Sequence, residues 1–256
     1  RQRQMCIRDS LSRGRPDCLV LCDYLDRGIR INGAWYPIVK MQWVEAPPLN
    51  LYVQANLTNR PRLDALVSRW RAVCQALELK RIEHGDLQHG NILCSPGTLT
   101  LVDYDGMRVP AYPTGRSSEL GHPAYQHPKR GPESDLLQAD RFSSLVIYTA
   151  LRALAVSPEL WARFDTGDNL LFRPIDLSKP ASSDLFGALG HVSDPAVARA
   201  AERLATTCTG PVNLAALEEE ARKAERRPTL ASGAWWQTTS PSSPPTNGAR
   251  VEAGVG

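Results

Sequence analysis

No uninterrupted apolar run in this chain approaches the roughly 20 residues needed to cross a bilayer, and its first residues form no apolar leader segment. Neither a membrane partner nor export is expected, and a cytoplasmic location is. There is no marked excess of either charge: 30 Lys and Arg stand against 27 Asp and Glu, a net charge of +3 spread along the chain. This gives no electrostatic reason to expect nucleic acid as a partner. Cysteine is sparse and scattered. Cys6, Cys18, Cys22, Cys74, Cys94 and Cys208 lack the paired spacing of a zinc site, so reduced, mostly buried thiols are expected. There is no internal repeat, and the pattern G-x-G-x-x-G occurs nowhere.

What is present is enough for a globular body. The 256 residues are 42% hydrophobic and 22% charged, sufficient to bury a core in one or two domains. The ends differ from the middle. The opening RQRQMCIRDS has neither helical nor strand periodicity and is similar to a translated sequencing adaptor, so 1–16 is expected to be unstructured, either artefactual or a basic tail. Residues 226–256 are rich in Ser, Pro, Thr and Gly, with Ser240-Pro241-Ser242-Ser243-Pro244-Pro245 at their centre. They read as a disordered tail whose large apolar side chains are Trp235 and Trp236.

Between the ends, 18–25 is a short apolar, strand-like run. Asn32-Gly33, set between Gly28-Ile29-Arg30-Ile31 and Trp35-Tyr36, has the chemistry of a type I′ hairpin turn. A meander of two or three antiparallel strands is expected. Its last strand runs over 36–45 into Ala46-Pro47-Pro48, where two prolines end pairing and stiffen a hinge. From 62 to 79, Leu63, Leu66, Val67, Trp70, Val73, Cys74 and Leu77 recur at three- and four-residue steps, marking an amphipathic helix. Short strands are expected at 92–94 and 99–102, turning at Ser95-Pro96-Gly97. Residues 142–156 are apolar nearly all round, which predicts a buried central helix. Further helices are expected at 158–164, 183–189, 195–207 and 214–224. Few strands followed by mostly helices indicates an α+β chain of two lobes, a small antiparallel β part over 17–46 and a mostly helical part over 47–225.

The chemistry is concentrated in His84-Gly85-Asp86-Leu87-Gln88-His89-Gly90-Asn91 and in Leu101-Val102-Asp103-Tyr104-Asp105-Gly106. Transfer of a terminal phosphoryl group asks little covalent chemistry of a protein: magnesium must bridge the phosphates, and one base must orient the attacking hydroxyl. Asp86 supplies a carboxylate. Asn91 supplies an amide oxygen, which can ligate a hard cation without adding charge repulsion. Asp103, at the end of a strand, adds a carboxylate suited to the same ion.

At these residues the sequence resembles the protein kinase superfamily, as a divergent bacterial serine/threonine protein kinase-like domain. Gly121-His122-Pro123-Ala124-Tyr125-Gln126-His127-Pro128 is similar to the G-T-x-x-Y-x-A-P segment that closes a kinase activation loop, with Gly, Tyr and Pro in register. Asp140-Arg141-Phe142-Ser143 resembles the D-x-W-S that opens the helix supporting the catalytic loop. The resemblance covers roughly 17–225. It implies Asp86 as catalytic base and Asn91 and Asp103 as ligands of Mg2+ or Mn2+. It places Met41, Gln42, Trp43 and Val44 at the adenine of ATP, and makes His84 and Asp140 supports of the site, Asp140 through catalytic-loop backbone. Gly85 replaces the arginine of HRD, and Gln88 stands where such kinases carry lysine. Asp105 takes the glycine position of DFG and, like Gln88, is an accessory candidate. Lys129 takes the glutamate position of APE.

Two parts of such an enzyme have no match. The chain has no glycine-rich loop, and Lys40 in Ile38-Val39-Lys40 is too near Asp86 to be the strand lysine, because the 62–79 helix takes up much of the interval. Lys40 is assigned to the strand entering the hinge, and the small lobe is read as a remnant. The expected activity is ATP- and Mg-dependent phosphoryl transfer to a hydroxyl, of Ser or Thr in a protein substrate, with this chain inactive alone. Two alternatives stand beside it. Small-molecule kinases resembling the aminoglycoside and choline phosphotransferases share H-G-D-x-x-x-x-N, and a pseudokinase scaffold would need none of the metal ligands.

Overall fold

The computed structural model describes Met5, Ile7, Asp9 and residues 14–110, 120–131 and 139–210. The expected helix at 214–224 and the Ser- and Pro-rich tail lie outside the described residues. The described residues belong to one unit, Arg1–Ala215; a second unit, Ala216–Gly256, lies outside them.

Asn32 and Gly33 both take left-handed backbone, φ 49° and 82°, as a type I′ turn requires. They join β1 (Cys22–Ile31) to β2 (Ala34–Met41) in an antiparallel hairpin with Cys22 opposite Met41 and Ile31 opposite Ala34. The runs at 18–25 and 28–31 belong largely to one strand, whose register shifts between Leu25 and Ile29. Gly28 sits in that irregularity because a Cβ there would stand 2.1 Å from Ile38 Cγ1. β2 ends at Met41, short of the expected 45. Residues 18–20 leave the hairpin: Leu19 bridges Leu101 in parallel, and Leu101 N donates to Cys18 O at 2.7 Å.

The helical part contains α1 (Leu49–Ala55), α2 (Arg60–Lys80), α3 (Ala139–Val156), α4 (Glu159–Phe164), α5 (Pro174–Ser178), α6 (Asp184–Gly190) and α7 (Pro195–Thr209). Between α2 and α3, a second antiparallel hairpin pairs β3 (Ile92–Ser95) with β4 (Thr98–Leu101). Asn59 caps α2 by accepting from Arg62 N at 3.2 Å. Leu63, Leu66, Val67, Trp70, Val73 and Leu77 form its buried face, which packs on α3. The central position of α3 follows from its composition: Phe142, Val146, Ile147, Ala150, Leu151 and Leu154 are all buried, and the helix packs on α2, α4 and α7. Arg152, a long cation within it, is used as a tie. Arg152 pairs with Asp64 of α2 at 2.9 Å and with Asp194, the residue that caps α7.

The fold class is α+β, with small antiparallel hairpins and a body of helices. Two details correct the sequence reading. Met5, Ile7 and Asp9 are helical and Ile7 is fully buried, so the expectation of 1–16 without structure does not hold for these three. α1 and α5, at 7 and 5 residues, are too short to show a periodicity. Among the described residues no helix is long and apolar enough to cross a membrane. Cys18, Cys22, Cys94 and Cys208 are buried and unpaired, and burial pushes the Cys94 thiol up to about 12.

Candidate active site

The segment after α2 is held by backbone and by buried polar groups. Arg81 ends the helix in left-handed backbone, φ 52°. Glu83 and Arg108 then exchange two hydrogen bonds, Glu83 N to Arg108 O at 3.0 Å and Arg108 N to Glu83 O at 2.7 Å. His84 is fully buried, and its Nε2 lies 2.9 Å from Val102 O. A carbonyl only accepts, so Nε2 carries the proton. Asp140, in the first turn of α3, accepts from the backbone N–H groups of both His84 and Gly85, the latter at 2.9 Å. Enclosure pushes the Asp140 carboxyl above its ordinary range, against the opposing pull of His84, the two N–H donors and Arg130.

Gly85 has φ +87°, and a Cβ on it would lie 2.4 Å from Gly106 O and 2.8 Å from Gly106 C. Two backbones meet there, those of His-Gly-Asp and of Asp-Tyr-Asp-Gly. This is a local reason for glycine where the kinase pattern has arginine. Gln88 is also committed locally, since its Oε1 accepts from Gly90 N at 2.8 Å and begins the 3-10 turn His89–Asn91.

Asp86 is gripped on both carboxylate oxygens. Asn91 Nδ2 donates to Oδ2 at 3.1 Å and to the Asp86 carbonyl at 3.0 Å. His122 N donates to Oδ1 at 2.8 Å. These bonds use the amide nitrogen of Asn91 and leave Oδ1, a hard-oxygen donor, outside them. Asp103 stands next to Val102, whose N–H donates to Asn91 O at 3.0 Å, so the strand end carrying Asp103 adjoins the loop carrying Asp86. Asp103 is exposed, with φ 64°, and its Oδ1 accepts from Asp105 N at 3.3 Å. Two carboxylates and an amide oxygen suit a hard divalent ion. Among the described residues no group of three or more His, Cys, Asp or Glu side chains is arranged to hold a metal. Met41 ends the hairpin and Gln42, Trp43 and Val44 follow it, with Gln42 N donating to Leu21 O at 3.1 Å. Trp43 is 88% exposed.

The segment beyond is built on buried rings. Tyr125 is buried, its hydroxyl 2.8 Å from His89 Nδ1, and its carbonyl accepts from Ser143 Oγ of α3 at 2.7 Å. Burial and the neighbouring His122 push the His89 pKa down. His127 packs edge-on to Phe142, 5.2 Å between ring centres, with Nε2 2.9 Å from Thr207 O. Lys129 has no acidic partner in these contacts. Its Nζ donates to Thr209 O at 2.6 Å and Gly210 O at 3.1 Å, a cation on the C-terminal carbonyls of α7.

Sequence reasoning assigned no role to His122, Gln126, Arg130 or Asp168, which reach Asp86 directly or through one another. His122 binds it by backbone, and the His122 ring nitrogen Nε2 is 3.1 Å from Asp168 Oδ1. Gln126 and Arg130 lie behind Gly121. Nothing local marks Asp168 as a neighbour of His122. The positions within Gly121 to Pro128 were in view, but only for their register.

No family model matches the chain, and no curated protein matches it. Among solved structures it is similar to the kinase PK-1 of Cydia pomonella granulovirus, at 12% sequence identity and a TM-score of 0.49, over 83% of this chain and 75% of that one. A likeness of that degree carries no argument here about either the fold or the chemistry.

Proposed function

We propose that this chain carries the base and metal-ligand half of an ATP- and magnesium-dependent phosphotransferase of protein kinase-like type, acting on a hydroxyl of Ser or Thr in a protein. The observation that carries the reading is the two-sided grip on Asp86, Asn91 Nδ2 on one oxygen and His122 N–H on the other. A carboxylate held this way is oriented before substrate arrives, which is what a base for an attacking hydroxyl needs. Asn91 Oδ1 and the Asp103 carboxylate would hold the divalent ion, and Met41 to Val44 would meet the adenine. The ion, when bound, neutralises charge on the phosphates. Asp140 keeps the loop backbone in place through His84 and Gly85.

Gly85 also occurs in the small-molecule phosphotransferase pattern, but here its backbone contact with Gly106 accounts for it. The ordered platform of Tyr125, Ser143 and His127 supports a protein acceptor. The sequence has no glycine-rich loop, so turnover by this chain alone is expected to be weak, and binding is the better test. ATP with Mg2+ at 100 times its Kd should stabilise the protein by about 2.7 kcal/mol, measured by thermal unfolding. The effect should require the metal and vanish in Asp103→Asn. Stabilisation indifferent to both would favour the scaffold reading. Transfer of labelled phosphate to an amino sugar but not to a basic protein would favour the small-molecule one.

A further inference from the structure

Gly85 and Gln88 leave the loop around Asp86 without the cations that the kinase pattern puts at those positions. A Cβ at 85 would collide with Gly106 backbone, and Gln88 is folded onto Gly90 N. A cation approaches from elsewhere. Arg130 Nη1 donates to Gln126 Oε1, and the Arg130 backbone N donates to His127 O at 2.8 Å. Gln126 is only 6% exposed, and among the described residues its Nε2 has no hydrogen-bond partner; Arg130 Nε is likewise enclosed without one among them.

With Oε1 taken by Arg130, the Gln126 amide nitrogen lies on the side of Gly121. Gly121 has φ +75°, and a Cβ built on it would stand 2.5 Å from Gln126 Nε2 and 2.9 Å from Asp86 Oδ1. The amide and the carboxylate are therefore neighbours against the same glycine. The next residue, His122, gives its N–H to Asp86 Oδ1 at 2.8 Å. Arg130 thus bonds Gln126, the Gln126 amide lies beside Gly121, and the residue after Gly121 bonds Asp86. Burial pushes the Arg130 guanidinium pKa down, while Asp140 and Asp86 pull it up, which puts both carboxylates within its field.

We propose that Arg130 and Gln126 are positioning residues for Asp86: a strut that holds the Gly121–His122 peptide so that its N–H meets the carboxylate. The strut supplies, from beyond the platform, the fixed cation absent at 85 and 88. Its catalytic meaning rests on the phosphotransfer reading; its geometry does not.

The test separates the two. The His122 amide is followed by 1H–15N NMR and hydrogen exchange in the ligand-free protein. An amide donating to a carboxylate resonates downfield, and Asp86→Asn sets the position expected when that bond is weakened. Gln126→Leu and Arg130→Met should move the His122 resonance most of the way to the Asp86→Asn position and speed its exchange by about tenfold or more. Arg130→Lys, which keeps a cation able to reach Gln126 Oε1, should hold it near wild type. Wild-type shift and protection in both Gln126→Leu and Arg130→Met would overturn the proposal, as would an Arg130→Lys amide displaced as far as that of Arg130→Met. Should Arg130→Met fail to fold, Gln126→Leu and Arg130→Lys decide. In preparations that transfer phosphate, the strut variants should lose about tenfold or more in kcat with KM for ATP little changed. Failure of ATP with Mg2+ to stabilise the protein would count against the phosphotransfer reading and leave the amide result standing.

Discussion

Replacing Gly85 by alanine adds one methyl group and should be among the most damaging small changes available in this protein. Two costs combine. At φ +87° an L-residue sits in left-handed backbone, a penalty of about 1–2 kcal/mol. The new Cβ would also stand 2.4 Å from Gly106 O and 2.8 Å from Gly106 C. Both are backbone atoms of a loop that cannot swing aside as a flexible side chain can, so an overpacking cost of about 1–3 kcal/mol is added. Reduced freedom of the unfolded chain returns about 0.4–1 kcal/mol. The net loss, about 1–4.6 kcal/mol, is a substantial part of a typical domain stability of about 5–15 kcal/mol. Gly97 isolates the clash: its φ is +84° but nothing lies within 4 Å of a built Cβ, so Gly97→Ala pays the backbone cost alone. Equilibrium unfolding in urea, followed by tryptophan fluorescence, should place Gly85→Ala about 1–3 kcal/mol below Gly97→Ala with an unchanged slope. Equal stabilities would refute the reasoning, because the Gly85–Gly106 contact would then not constrain the loop. Gly85→Arg, which restores the kinase-pattern residue, should be no better than alanine.

Trp70 is fully buried between α2 and α3, with Nε1 on Ser144 O at 3.1 Å. Trp70→Ala should cost about 3–5 kcal/mol in urea unfolding, and a loss under about 1 kcal/mol would contradict its place in the core. Asp176 is buried and accepts from Arg173 N and Nε at 2.9 Å, from Arg173 Nη2 at 3.0 Å and from Ser183 Oγ at 2.8 Å. Burial alone would raise its pKa, but these donors outweigh burial and hold it below the usual carboxylate range. A depressed folded pKa stabilises above the unfolded value of about 3.9 and loses that contribution as pH falls through the folded value. Asp176→Asn should therefore cost about 1–3 kcal/mol near neutral pH, and the gap to wild type should close on acidification below about pH 4. A gap that stayed constant or widened in acid would show that the carboxylate's charge is not what the fold uses.

Much of the local structure was legible in the residues. The 62–79 periodicity became α2, lengthened at its start to the Asn59 cap. Asn32-Gly33 became the hairpin turn, and the apolar run at 142–156 became the central helix. Turn chemistry, capping and the period of apolar residues act over a few neighbours, so a chain carries them openly. Whether the runs at 18–25 and 28–31 make one strand or two stayed open for the opposite reason. Whether Gly28 ends a strand or bends one depends on Ile38 across the hairpin.

The sequence alone determined which groups are on offer: a carboxylate at 86, an amide at 91 and a second carboxylate at 103, the set on which the proposed phosphoryl transfer rests. Tertiary structure decided how those groups are held. Asp140 reaches the backbone of His84 and Gly85, His122 reaches Asp86, and Arg130 reaches Gln126 behind it. Gly85 is glycine because Gly106 passes against it. Apart from Arg130 and Gln126, these partners lie far apart in the chain, and nothing in their immediate neighbours specifies the meeting. It follows from packing the helices and hairpins on one core, which brings distant backbone and buried polar groups within hydrogen-bond reach.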